Sequence, residues 1–298
     1  MYIMMFFRSL LRFARSVMKR FISGLTIPIR FLTEIPGIML ERKVKASAEP
    51  MIFEDWAGYR YWQYPGDNIR YNWKRKSVTD AKHIVRYILE NVKPNWTCVD
   101  IGANIGAVSV SLWSKVTPGG RVISVDADPS NMDKIKANLK LNDYPEDYVI
   151  NVAIADKKGV LQLRCYPECN GWQTLGNPTF ARDYESFVID IPAINFEELG
   201  KIFELETVDF VKIDVEGAEI LVLNGMRSYL EEKKIACVVF EVNHLMLEGM
   251  NSNVGQLLSF WKDFDYELWR LADDGTPVPI AEGWPNNLIG DCIAFSRA

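Results

Sequence analysis

Four apolar runs in this chain end in an acid, at Asp100, Asp126, Asp214 and Glu241, and the last is followed closely by His244. Carboxylates and an imidazole gathered at strand ends suit removal of a proton from a hydroxyl, work typically worth ~10²–10⁴-fold in rate. His244 is one of two histidines, and its ordinary pKa near neutrality makes it the leading base. Asp214 is its rival, as base or as the group that positions the hydroxyl, and Glu241 is the third catalytic candidate. Strand alternation puts Lys212 on the same face as Asp214, where a lysine on a central strand must be paired. Glu216 and Glu219 fall in the first turn of the following helix, where acids cap free N–H groups and favour the helix dipole. A divalent metal between Asp214 and Glu241 would lack a distinctive ligand pattern, and no metal site is assigned.

The element that must position these groups lies at 96–110. It reads as a strand over Thr97–Ile101, a tight turn, and a helix from Ile105 with Val108, Leu112 and Val116 on one face. Gly102 takes backbone angles that a Cβ forbids, and Gly106 lets the helix sit close to the strand and to a ligand. The helix start offers unpaired N–H groups and a positive dipole end. A dinucleotide fingerprint needs Gly-x-Gly-x-x-Gly. Here Asn104 holds the second glycine's place and Gly106 arrives one position early, which conflicts with a nicotinamide-dependent oxidoreductase. An acid two residues before the first glycine is instead the pattern of S-adenosylmethionine enzymes, with Asp100 orienting the cofactor's ammonium and the loop. The next strand ends in Asp126, with Asp128 just beyond, about 20 residues past the loop. That is the place of a ribose diol contact in a doubly wound sheet.

Taken in order, VDIGANIG at 99–106, VISVDADP at 122–129, NVAIAD at 151–156 and KIDVEGAE at 212–219 resemble the FkbM-type methyltransferases. These are class I S-adenosylmethionine-dependent enzymes, and the likeness runs over roughly residues 75–245. The resemblance implies a Rossmann-like, doubly wound α/β fold with a mostly parallel seven-stranded sheet. It implies S-adenosyl-L-methionine as cofactor, and O-methylation of a hydroxyl on a sugar or glycoconjugate; a glycolipid acceptor is what the membrane-facing helix at 3–22 would suit. It places Asn151 and Ala153 near the adenine. One departure is Asp126, where many relatives carry Glu, so that the acid reaches less far. The alternatives are a non-catalytic, membrane-recruited protein that keeps the pocket for stability, and a methyltransferase for a non-sugar small molecule.

Around this centre, strands and helices alternate. Helices are expected over 77–92, 129–141, 196–205, 218–229 and 254–264, and strands over 148–154, 160–165, 208–213 and 235–242, with a closing hairpin of 266–271 and 288–295. His83, on the first of these helices, reads as a surface or packing residue far from any strand end. A further strand or hairpin is expected from Trp56 to Tyr64, turned by Pro65, Gly66 and Asp67. The stretch 167–182 is long for a connection and reads as a binding loop. Trp172 and Gln173 within it are candidates for the substrate, with loop anchoring an equal reading for Trp172.

The chain's 298 residues are 48% hydrophobic with nine tryptophans, enough for a packed core. Five cysteines without metal-ligand spacing point to a reducing compartment. The net charge of −5 is uneven. Residues 1–50 hold nine basic and three acidic side chains, the remainder 25 and 36, and an acidic body argues against a nucleic-acid substrate. Over 3–22, Phe6, Phe7, Leu10, Leu11, Phe13, Ala14, Val17, Met18 and Phe21 fall on one helical side, and Arg8, Arg12, Arg15 and Lys19 on the other. The charges rule out a comfortable membrane span. An interfacial helix on an anionic membrane is expected, the alternative being a helix packed on the body or in a homo-oligomer. The organisation is therefore a basic amphipathic helix and linker over 1–50 and a catalytic domain over 51–298, cytoplasmic and peripheral on the cytoplasmic membrane face.

Overall fold

The computed structural model describes residues 50–64, 81–167, 169, 171–280 and 283–297. The amphipathic helix and nearly all of its linker lie outside these residues, as do Pro65, Gly66, Asp67 and Ser77. The chain divides into one unit of 1–51 with 63–76 and a second of 52–62 with 77–298, which holds nearly every described residue. Among the described residues no helix is long and apolar enough to cross a membrane.

The first elements, β1 (Met51–Glu54) and β2 (Arg60–Gln63), pair as a hairpin. Its turn comes at 55–59, ahead of the segment at 65–67, because Asp55 Oδ1 accepts the N–H groups of Ala57 (2.9 Å) and Tyr59 (3.0 Å). Then follow α1 (Lys82–Asn91), β3 (Thr97–Ile101), α2 (Ala107–Val116), β4 (Arg121–Asp126), α3 (Met132–Leu141), β5 (Val149–Asn151), β6 (Ala153–Ile154), β7 (Gly159–Cys165) and β8 (Phe187–Ile194). The second half holds α4 (Phe196–Phe203), β9 (Val208–Ile213), α5 (Glu219–Gly225), α6 (Arg227–Glu231), β10 (Ile235–Val242), α7 (His244–Gly249), α8 (Val254–Phe260), β11 (Tyr266–Leu271), β12 (Pro277–Pro279) and β13 (Gly290–Ser296).

The main sheet has the order β12-β11-β13-β10-β9-β3-β4-β5. The five strands from β10 to β5 run parallel, and β13, β11 and β12 are added antiparallel. It has eight strands rather than seven, because three-residue β12, with a proline at each end, adds at the edge where missing N–H groups are tolerated. The strand expected over 148–154 is cut at Val152, where the chain leaves the main sheet. Beyond it β6 joins a second sheet of order β6-β8-β7, whose β8 has no counterpart among the sequence expectations. The helix expected over 218–229 breaks at Met226 into α5 and α6.

Strand alternation divides the core. Val99, Ile101, Val125, Ile213, Val238 and Phe240 pack on one face with Leu223, Leu230 and Trp261. Cys98, Val122, Phe210, Val239 and Ile293 pack on the other, under Ile84 and Ile88 of α1 and Val110 and Leu112 of α2. By the same alternation Asp100, Lys212 and Glu241 belong to the α1/α2 face, and so does Asp291, opposite Glu241 in the register of β10 and β13.

Candidate active site

The loop leaving β3 is held from below by one buried cation. Lys212, 3% exposed, donates to the Gly102 carbonyl at 2.7 Å and lies 3.3 Å from Asp100 Oδ1 and 3.5 Å from Asp214 Oδ2. Burial opposes its charge, but the two carboxylates prevail and its pKa is raised, so it stays protonated. Asp100 has no exposed surface, and Ser109 Oγ donates to its Oδ2 at 2.6 Å. The expected contact between Asp100 and a cofactor ammonium is therefore corrected: this carboxylate is sealed inside and orients the loop through Lys212 and Ser109. Gly102 (φ +78°) is required by the protein itself, since a Cβ there would overlap the Asp214 carbonyl. Asn104 (φ +53°) and Gly106 (φ +81°) continue the turn into α2.

At the tip of β4, Asp126 ties two loops together. Its Oδ2 accepts Asn104 N–H at 2.6 Å, and its Oδ1 accepts Asp128 N–H at 2.9 Å and Asn131 Nδ2 at 3.1 Å. Burial pushes its pKa up to about 6 although these donors favour the charged form. Asn151 Nδ2 donates to the carbonyls of Asp126 (2.9 Å) and Ala127 (3.0 Å), and Ala153 is buried just beyond. Gln173 Nε2 donates to Asp128 Oδ2 at 3.2 Å, so this residue meets the cofactor side of the site. Trp172 sits edge-on to Tyr166, Phe180 and Tyr184, with centroids 5.2–6.4 Å away, which fits the anchoring reading. Thr174 Oγ1 donates to the Glu216 carbonyl at 2.6 Å and carries the loop across to the other half of the site.

That half is acidic. Asp214, 34% exposed at its side chain, leaves β9, and carboxylate oxygens of Asp214, Glu216 and Glu241 all lie within 4.8 Å of one another. Burial, and then the neighbouring acids, push the pKa values of Glu216 and Glu241 well above the carboxylate range. Glu219 caps as expected, its Oε1 accepting the N–H groups of Val215 (3.3 Å) and Gly217 (3.1 Å), and burial pushes its pKa up to about 7. Glu216 instead takes a left-handed backbone (φ +51°) and turns toward Asp214 and Glu241. Gly217 (φ +98°) lets this loop press on Met246 of α7.

The two histidines sit in different surroundings. His244 begins α7 behind Asn243, and its Nδ1 is buried without a hydrogen-bond partner. No hydrogen bond or ion pair joins it to Asp214 or Glu241 among the described residues. His83 pairs through Nε2 with Asp291. Burial works against a charged imidazole, yet the hydrogen bond and charge of Asp291 raise its pKa. The expectation that His83 lies far from any strand end is thus corrected. A helix feeding β3 runs back along the sheet, so its first turn returns to the carboxyl ends of the parallel strands. The antiparallel β13 likewise begins where they finish, which brings Asp291 there. Both placements could have been read from the expected order of elements.

The model of the methyltransferase FkbM domain matches residues 100–268, more than half of the chain, starting at the sealed carboxylate of β3. The chain belongs to the FkbM methyltransferase family. The family is one of S-adenosylmethionine-dependent methyltransferases. Methyltransferase sdnD of Sordaria araneosa is 28% identical over 166 residues, 47% of this chain and 64% of that protein, so the match spans less than two thirds of this relative. Hexuronic acid methyltransferase AglP of Haloferax volcanii is 23% identical over 241 residues, 78% of this chain and 93% of that protein. Among solved structures, a SAM-dependent O-methyltransferase from Thermotoga maritima aligns with a TM-score of 0.41 and 13% identity, covering 83% of this chain and 78% of that one.

The donor set fits the FkbM cofactor. Asp126 Oδ2 accepts a single N–H and keeps a lone pair for a ribose hydroxyl, with the Asp128 carboxylate alongside. Asn151 and Ala153 would border the purine, and the turn from Gly102 through Asn104 to Gly106 at the head of α2 would take the amino-acid end.

Proposed function

We propose that this FkbM protein methylates a hydroxyl group of a sugar, free or carried on a glycoconjugate. The observation that carries the reading is the cluster of Asp214, Glu216 and Glu241 beside the cofactor loop. Adjacent carboxylates accept hydrogen bonds from several hydroxyls at once, as a polyol requires. The hexuronic acid named for the relative AglP supports a sugar acceptor.

S-adenosylmethionine, when bound, supplies an electrophilic methyl group. This chain's residues must align the acceptor oxygen with it and take up the hydroxyl proton. We assign the proton to Asp214, which is partly exposed and steadied through Oδ2 by Lys212. Glu216 and Glu241 would hold neighbouring hydroxyls. The same acids would repel the carboxylate of a hexuronic acid unless a cation stood between them.

The test is transfer of labelled methyl to neutral hexoses, hexuronates and non-sugar alcohols. Transfer to sugars, lowered about 10²-fold or more in Asp214→Asn with S-adenosylhomocysteine affinity retained, is the expected result. Labelling confined to non-sugar alcohols would reject the sugar. Full activity in Asp214→Asn with loss in His244→Ala would return the base to His244.

A further inference from the structure

The acids at the acceptor end exceed what a proton transfer requires. Asp214, Glu216 and Glu241 bring three carboxylate oxygens within 4.8 Å of one another. Lys212 is the cation that reaches Asp214 among the described residues, and it is already shared with Asp100 and the Gly102 carbonyl. Glu216 and Glu241 have no ion pair among the described residues.

A separate observation points to a missing positive partner. Glu219 is 0% exposed, and its Oε2 has no hydrogen-bond partner, although Oε1 receives two N–H groups. Glu219 is close enough for its charge to act on Glu216 and Glu241 and to feel that of Asp214. The Oε2 atom of Glu241 is also sealed from water and unpartnered. Buried carboxylate oxygens without donors are costly, and Glu219 shares the acidic neighbourhood of Glu216 and Glu241.

The ligand set is also held in place. Thr174 Oγ1 fixes the Glu216 carbonyl, and Gly217 seats the loop against Met246. Glu241 stands in the register of β10 between β9 and β13. All three donors are oxygens, with no thiolate or imidazole among them, which selects hard cations over zinc or copper.

We propose that Asp214, Glu216 and Glu241 bind one divalent cation of the oxygen-preferring class, Mg²⁺, Mn²⁺ or Ca²⁺, at the acceptor end of the site. Three protein oxygens leave about three positions of a six-coordinate ion for water or for acceptor oxygens. The ion would then clamp two adjacent oxygens of the sugar, a role that rests on the acceptor reading above, whereas the cation site itself does not.

The test is titration of the EDTA-stripped full-length protein with Mn²⁺, following the free aquo ion by electron paramagnetic resonance. The expected result is one Mn²⁺ per chain, displaced by Mg²⁺ or Ca²⁺. Binding should weaken at least about tenfold in Glu241→Gln and in Glu216→Gln, with S-adenosylhomocysteine affinity retained as the sign of an intact fold. If one variant loses the fold, the other carries the comparison. Absence of saturable binding at millimolar Mn²⁺ overturns the proposal, as does equal binding by parent and folded variants. Mn²⁺ binding without transfer to any sugar would reject the acceptor reading alone.

Discussion

Replacing Lys212 by methionine removes the buried positive charge shared by Asp100 and Asp214 at the ends of β3 and β9. The substitution conserves much of the side chain's volume but deletes the 2.7 Å bond to the Gly102 carbonyl and the contacts with Asp100 and Asp214. A hydrogen bond from a charged group contributes ~1.5–3 kcal/mol. Leaving a fully buried carboxylate without its partner raises the total cost to about 3–5 kcal/mol. With a urea slope near 3 kcal/mol per molar, the unfolding midpoint should fall by roughly 1–2 M. If the counter-charge is the cause, Asp100→Asn should be far milder in the Lys212→Met background than alone. The cycle should then show a coupling of ~1–3 kcal/mol. Urea unfolding of the four proteins measures this. A single-variant loss below about 1 kcal/mol, or strict additivity, would refute the counter-ion role.

Two predictions concern protons. If ribose hydroxyls donate to Asp126, cofactor binding favours its charged form. The dissociation constant of S-adenosylhomocysteine should then rise up to about tenfold per pH unit below about 6, by calorimetry. Asp126→Asn should flatten that dependence, and a flat profile in the parent would place the contact elsewhere. The raised pKa of His83, faced by Asp291, Asp273 and Arg86, gives stability that is complete below the unfolded value near 6.5. It is lost as pH rises through the higher folded value. Thermal unfolding from about pH 6 to pH 9 should show a loss of stability that is absent in Asp291→Asn.

Much of this site could be read in the sequence because its signals are local. The turn at 102–106 and the acids of β3, β4, β9 and β10 sit where spacing and hydrophobic runs put them. Distance along the chain misled the reading of His83, whose helix doubles back over the sheet. Local pattern also hid β8, where Pro192 interrupts the run and Phe187 and Val188 are exposed rather than alternating with buried neighbours. Glu216 looked like a cap because its position fits one. Its left-handed backbone, which turns it toward Asp214 and Glu241, depends on contacts from Thr174 and Met246 that no nearby residue announces.

The segment from Gly171 to Thr174 touches both halves of the site, with Gln173 on Asp128 and Thr174 on Glu216. Moving it to admit one ligand therefore alters the shelf on which the other rests. The free energies of binding for methyl donor and acceptor are then coupled, and the coupling is reciprocal. Whatever factor a bound acceptor adds to the donor's affinity, the donor returns to the acceptor's. In steady-state terms, double-reciprocal lines at different donor concentrations would cross above or below the abscissa, at a height set by that coupling.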